Sequence, residues 1–213
     1  MCKKFNELCH SVSDCKNIDS LFELWKQAHV SEENPINTFP KPKDSEYSHY
    51  DCFEKSFCYD GFITYTLSPE RKTVLFILRE SNVSVNGILL PEITNKFFVK
   101  EEWDNSNYSN IYVSFIIKQI SEINCNIDDI NIAYMNLNKR GGFGSTNPTQ
   151  LIRYVKKYKP FIEKEIELIN PDIIVCGGTY GTIMGLDINI NKDNIKDCYH
   201  PSAWIKNSKN VDC

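Results

Sequence analysis

No stretch of this sequence is apolar for long enough to cross a bilayer. Runs such as Val74–Leu78 and Ile173–Cys176 fall far short of the ~20 residues that a membrane helix needs. The chain lacks a basic segment leading into an apolar one at its start, so no secretory signal is expected and the cytoplasm is the expected location. It lacks an excess of positive charge: Lys and Arg total 24 against 28 Asp and Glu, a net charge of −4. A protein that holds nucleic acid through non-specific phosphate contacts is usually basic, so any such contact here must be local. None of the nine cysteines forms a CxxC pair, and their number is odd, which predicts reduced thiols rather than a disulfide framework. Cys2, Cys9, Cys15 and His10 lie near one another in sequence, but their spacing matches no standard zinc pattern, so no metal is expected. Walker A, Rossmann and HExxH signatures are absent, as are internal repeats and low-complexity tracts. What remains is 213 residues, 41% hydrophobic and 24% charged, the profile of one large globular unit with a single core.

Residues 1–32 read as helical, with Leu21, Phe22, Leu24, Trp25 and Ala28 at helical spacing behind a cap at Asp19 or Ser20. Residues 33–50, with Pro35, Pro40 and Pro42, read as loop, and 57–67 as an edge strand or an irregular segment. Thr73–Leu78 (TVLFIL) is a continuous apolar run bounded by charges, the mark of a strand buried on both faces. Loop and a short helix are expected over 83–107, then a helix over Ile111–Ile123 and a strand over Asp129–Met135. After a polar loop at 141–148, Thr149–Asn170 reads as a helix kinked or divided at Pro160. It turns Leu151, Ile152, Val155, Ile162, Ile166 and Ile169 inward. Strands follow over Asp172–Cys176 and Ile195–Tyr199, with a short helix starting at Thr179. Strands alternating with helices predict a three-layer α/β/α sandwich with a four-stranded, mostly parallel sheet. Residues 1–70 would be an N-terminal extension packed on the core, and 71–213 the α/β domain proper.

In such sheets functional groups gather beyond the carboxyl ends of the strands. Those ends read Arg79-Glu80-Ser81-Asn82, Asn136–Arg140, Gly177–Gly181 and His200-Pro201-Ser202. Four motifs therefore stand in order: LRESN at 78–82, AYMNLNK at 133–139, KPFIEKEIELINPDIIVCGGTYG at 159–181 and HPSAW at 200–204. Over roughly residues 72–205 they resemble the uracil-DNA glycosylase superfamily. Glu80 occupies the place of that family's water-activating acid or amide, with Asn82 as second choice. Asn136, or Asn138 in competition, matches the base-reading asparagine. His200 matches the histidine that donates to the flipped base, Ser202 belongs to the same minor-groove loop, and Trp204 falls where an apolar wedge often stands. Phe98 or its neighbour Phe97 would stack on the extruded base.

The chemistry suits these residue types. A base must leave the duplex to be cut, and the leaving base gathers negative charge that a donor such as His200 can stabilise. A carboxylate at Glu80 can position or deprotonate water, and an asparagine amide offers both donor and acceptor to a base edge. Lys139 and Arg140 would hold phosphates, as would the Gly178-Thr179 turn. Each residue also has a plainer reading: Glu80 as partner of Arg79 or Arg71, Asn136 as a turn residue, Lys139 and Arg140 as a charged loop, His200 as a surface histidine, Trp204 as ordinary packing.

Leu78 stands where the family has glycine and Ser81 where it has proline, which leaves the base open between uracil and a bulkier modified one. Arg140 and Lys159 stand where the cluster-containing branch has iron–sulfur cysteines, so no cluster is expected, nor any other cofactor. The resemblance implies a monomeric, monofunctional DNA glycosylase, of base-excision repair or of defence against foreign DNA, with single- or double-stranded DNA as partner. Two rivals stay open: a non-catalytic nucleic-acid- or protein-binding member of the fold, and a hydrolase of a small nucleoside or nucleotide.

Overall fold

The computed structural model describes residues 3–36, 57–63, 67–82, 84–85, 88–89, 92–94, 111–142, 146–201 and 203. Helix α1 (Lys3–Ser11) and a 3₁₀ turn lead into α2 (Ile18–Val30). The α2 cap is Asn17, two residues before Asp19 and three before Ser20, and its side chain accepts from the Ser20 N–H at 2.8 Å, satisfying a donor that a helix start leaves open. Strands β1 (Phe57–Tyr59) and β2 (Gly61–Phe62) precede the long β3 (Lys72–Asn82). Short strands β4 (Ser84–Val85), β5 (Ile88–Leu89) and β6 (Glu92–Thr94) follow, where loop and a short helix were expected; the rest of 83–107 lies outside the described residues. Then come α3 (Ile111–Glu122), β7 (Ile130–Gly142), α4 (Pro148–Lys157), α5 (Lys159–Ile169), β8 (Ile173–Gly177), α6 (Tyr180–Ile183) and β9 (Ile195–Cys198).

The main sheet has five strands in the order β2-β7-β3-β8-β9. It is mixed: β7, β3, β8 and β9 run parallel, while β2 lies antiparallel along β7 through Gly61↔Tyr134 and Phe62↔Ala133. The expected four-stranded sheet is thus corrected by an edge strand two residues long, too short for any periodicity to reveal. Because β2 pairs within this sheet, the boundary set at residue 70 falls between two strands of one sheet.

Alternation along the strands sorts side chains to two faces. Leu75, Ile77, Ala133, Met135, Leu137, Ile174 and Cys176 point to one face and pack with Phe5, Leu21, Phe22 and Trp25 of the first two helices and with α4 and α5. Val74, Phe76, Leu78, Ile132, Tyr134 and Val175 point to the other, under Phe115, Ile116 and Ile120 of α3. The run Val74–Leu78 is fully buried, each such side chain stabilising by ~1.5–3 kcal/mol. Pro160 divides rather than kinks the helical stretch. Tyr158 separates α4 from α5, and the proline sits in the first turn of α5, where its missing N–H has no partner to lose. One expected core residue differs: Ile152 is 44% exposed. Among the described residues, no helix is long and apolar enough to cross a membrane.

Candidate functional site

Strand β7 outlasts its expected end, so Asn136–Arg140 lie inside the sheet instead of in a loop beyond it. Leu78 pairs in register with Asn136 and Glu80 with Asn138; four residues on, Gly142 is already opposite Asn82. β7 therefore carries a bulge after Asn138, which breaks strict alternation.

Asn136, Asn138, Leu78 and Glu80 share the α3 face of the sheet by alternation. The Asn138 amide is fixed at both ends: its oxygen accepts from the Arg140 N–H at 2.9 Å and its nitrogen donates to Glu80 Oε2 at 3.4 Å. Asn138 thus orients Glu80 and has little left for a base. Asn136 is fully buried, with Oδ1 3.5 Å from the Tyr134 hydroxyl and its backbone N–H donating to Asp60 Oδ2 at 2.6 Å.

The neighbouring strand ends in two glycines, and each is required. A methyl on Gly177 would lie 2.1 Å from Leu78 Cδ2, 3.5 Å from Phe115 Cζ and 3.6 Å from Pro201 Cδ. These three side chains close into an apolar floor around it. Gly178 has φ +68, and a methyl there would meet Arg79 Nη2 at 3.0 Å and the His200 Cβ at 3.4 Å; only glycine combines that backbone with so close an approach. Arg79 Nε donates to Gly178 O at 3.2 Å, Gly178 N–H donates to Cys198 O at 2.8 Å, and Thr179 Oγ1 donates to Ile77 O at 2.8 Å. Gly178 and Thr179 are thereby tied into the strand ends.

His200 follows β9, two strands from Glu80 in the order β3-β8-β9, about 10 Å from backbone to backbone at ordinary strand spacing. Burial, then the Arg79 guanidinium, lower its pKa to about 4. The imidazole is therefore neutral at pH 7 and offers one N–H donor and one acceptor.

Lys139 and Arg140 are placed differently from the surface phosphate contacts expected of them. Both are fully buried on the α2/α5 side. Lys139 Nζ donates to Asp60 Oδ1 at 2.5 Å and to Glu165 Oε1 at 2.9 Å, and lies 5.2 Å and 5.4 Å from the ring centres of Phe22 and Trp25, within cation–π range. Burial alone would push its ammonium down; Asp60 and Glu165 outweigh that and raise it. Burial, then the Asp60 carboxylate, push Glu165 well above the usual carboxyl range, with Lys139 opposing. Arg140 Nη2 donates to Glu32 Oε2, which Lys157 also joins through Oε1, to the carbonyl of His29 at 3.3 Å and to the Tyr158 hydroxyl at 3.4 Å. The Tyr154 hydroxyl accepts from the Lys139 N–H at 3.3 Å and sits 2.8 Å from His29 Nε2. Two consecutive cations reach one face because the bulge after Asn138 breaks the alternation there. A cation enclosed in this way is a fold-holding group, and it presents no charge to a phosphate.

No protein-family model matches the chain, and no curated protein matches it. The site therefore rests on its own geometry. That geometry places Glu80, Asn138 and Asn136 on one face of the sheet beside the Leu78–Phe115–Pro201 floor, and places Arg79, which alternates to the opposite face of β3, near Gly178 and His200. It separates Lys139 and Arg140 from them. Asn82 ends β3, with its side chain outside the description, and Phe98, Ser202 and Trp204 lie outside the described residues. Among the described residues, no three His, Cys, Asp or Glu side chains form a metal-ligating group.

Sequence reasoning missed Asp60, Glu165 and Glu32. Glu165 left a signal: it interrupts the inward stripe Phe161, Ile162, Ile166, Ile169 of α5, and an acid on an apolar face needs a buried partner. Asp60 left only its setting among aromatics, because Lys139 is 79 positions away.

Proposed function

We propose that this chain is a divergent member of the uracil-DNA glycosylase superfamily, with an α/β/α layering, and that it hydrolyses the N-glycosidic bond of a base extruded from DNA. The observation that carries the reading is the Glu80–Asn138 pairing at the ends of adjacent central strands, beside an apolar floor and two strands from a neutral histidine. Glu80 takes a proton from water as the water oxygen bonds to the sugar's anomeric carbon. The bond from that carbon to the base nitrogen breaks, and the base leaves with the electron pair and is then protonated. His200 donates its N–H to the charge gathering on the base. Asn138 is a positioning residue for Glu80, and Asn136 is the amide nearest the floor for reading a base edge. Leu78 fills the space beside Gly177, which favours a base held farther out than a glycine at 78 would allow.

The test is release of free base from oligonucleotides containing uracil, hypoxanthine or modified pyrimidines. Glu80→Gln is expected to lower release by ~10²–10⁴-fold, the span of general acid–base catalysis, with stability unchanged within ~1 kcal/mol. Release that persists in Glu80→Gln, or wild-type protein that binds DNA without releasing any base, sinks the catalytic reading.

One observation favours a second reading: Lys139 and Arg140, the expected strand-gripping cations, are enclosed. An enzyme acting on a free nucleoside or nucleotide has no need of them. Cleavage of nucleosides with none of oligonucleotides would establish it.

A further inference from the structure

A cleft of about 540 Å³ opens on the other side of the Gly178-Thr179 turn, between α4 and α6. Its volume falls in the range of small-molecule and nucleotide pockets. Ile152 and Leu186 line it from opposite elements, Gly181 and Thr182 form the wall between, and Lys156 and Lys159 stand at its edge. No acidic residue lines it among the described residues, although the chain as a whole carries a net charge of −4. Ile152 is 44% exposed, so a branched apolar side chain is held open to solvent here.

The two lysines differ in freedom. The Lys159 side chain is 43% exposed and shares its charge with Glu163, one helical turn on, at 3.4 Å. Lys156 is exposed and joins no ion pair among the described residues. Lys156 also borders a second cleft of about 550 Å³, but that one is lined by Glu32 and Glu33 and is electrostatically the poorer seat for an anion.

We propose that the α4/α6 cleft seats one nucleotide of the DNA strand whose neighbouring base enters the Glu80 site, with Lys156 and Lys159 facing its phosphate and Ile152 and Leu186 facing its base. The inference rests on the glycosylase reading and deepens it: it assigns the strand contact that Lys139 and Arg140 do not make. Charge complementarity selects an anion, the apolar walls select a flat ring attached to it, and the Gly178-Thr179 turn that lines the cleft follows β8, the strand next to the β3 that carries Glu80.

The test is binding of a fluorescein-labelled oligodeoxythymidylate by anisotropy over a series of salt concentrations. Wild-type protein is compared with Lys156→Gln/Lys159→Gln, with Ile152→Ser, and with Lys16→Gln as a distant surface control. Loss of that phosphate contact is expected to flatten the log–log salt dependence by ~0.7 and weaken binding by several-fold at low salt. Ile152→Ser is expected to weaken binding without changing the salt slope. Lys16→Gln leaves both unchanged. Thermal melts confirm folding, since both lysine side chains reach solvent.

Wild-type affinity and slope in the lysine variant overturn the proposal, as does a wild-type protein that does not bind the oligonucleotide. Competition by thymidine monophosphate as effective as by the oligonucleotide also overturns it, in favour of a free-nucleotide site. Lysine-dependent binding without base release upholds the cleft and sinks the catalytic reading instead. Base release from oligonucleotides with lysine-independent binding does the reverse.

Discussion

The end of β7 carries two polar pairs with opposite fates. Asn136 and Asn138 face α3, beside Glu80 and the Leu78–Phe115–Pro201 floor. Lys139 and Arg140 face α2 and α5, each locked to acidic side chains. The charged pair would have been the natural guess for the functional one. The structure reverses it: the cations hold the N-terminal helices to the sheet, while neutral amides and one carboxylate hold the candidate site. Desolvation explains the division. A buried ion costs several kcal/mol unless it is paired and hydrogen-bonded, so the cations come with dedicated partners. Amides are cheaper to bury and can be satisfied by backbone and by Glu80. The two faces are joined at Asp60, which accepts from Lys139 Nζ with one oxygen and from the Asn136 N–H with the other. The buried ionic cluster is therefore tied directly to the strand that carries the site.

The most severe way to break this arrangement is Lys139→Met. It leaves Asp60 and Glu165 enclosed without their cation, and removing one partner of a buried pair costs ~3–5 kcal/mol. Urea unfolding is expected to show that loss. A loss under ~1 kcal/mol would mean that Lys139 reaches solvent, and its role as a phosphate contact would return.

A smaller effect is expected on the site face. Gly177→Ala puts a methyl 2.1 Å from Leu78 Cδ2, and Leu78 is enclosed, so it cannot swing away freely. Overpacking of this kind costs ~1–3 kcal/mol. Leu78→Ala alone leaves a cavity and costs ~2–5 kcal/mol. The double variant is expected to cost less than the sum of the two, because each change relieves the other; a double-mutant cycle reads the coupling directly. Strict additivity would mean that the two side chains do not meet, and the floor would have to be redrawn.

What the sequence made legible follows from the range of the interactions. TVLFIL was readable as a doubly buried strand because a continuous apolar run carries its burial with it. The break at Pro160 was readable because proline acts on its own neighbours. Gly178–Gly181 and His200-Pro201 were readable as strand ends because each follows directly from a strand, whereas Arg79–Asn82 and Asn136–Arg140 lie within β3 and β7. The Glu80–Asn138 pairing depends on inter-strand register, which alternation within either strand does not determine. The inward turn of Arg140 depends on a bulge with no signature in residue type. Asp60 meets Lys139 across 79 positions, and only the closed sheet brings them together.

The mildest test concerns the far side of the site. His200 is lowered to about 4, first by burial and then by the Arg79 guanidinium. Arg79 is held in place by its bond to Gly178 O at 3.2 Å. A proton NMR titration of the His200 ring is expected to show a midpoint near 4 in the wild type. Arg79→Gln is expected to raise that midpoint, while leaving it below the ordinary histidine value near 6.5, since burial is the larger cause and remains. Linkage fixes the sign for stability. Between about 6.5 and about 4 the unfolded chain binds a proton that the folded chain does not, so the native state weakens as pH falls through that window and is indifferent above it. A wild-type midpoint near 6.5 would place His200 away from Arg79 and Gly178, and would leave Glu80 without the donor that the proposed reaction needs on its far side.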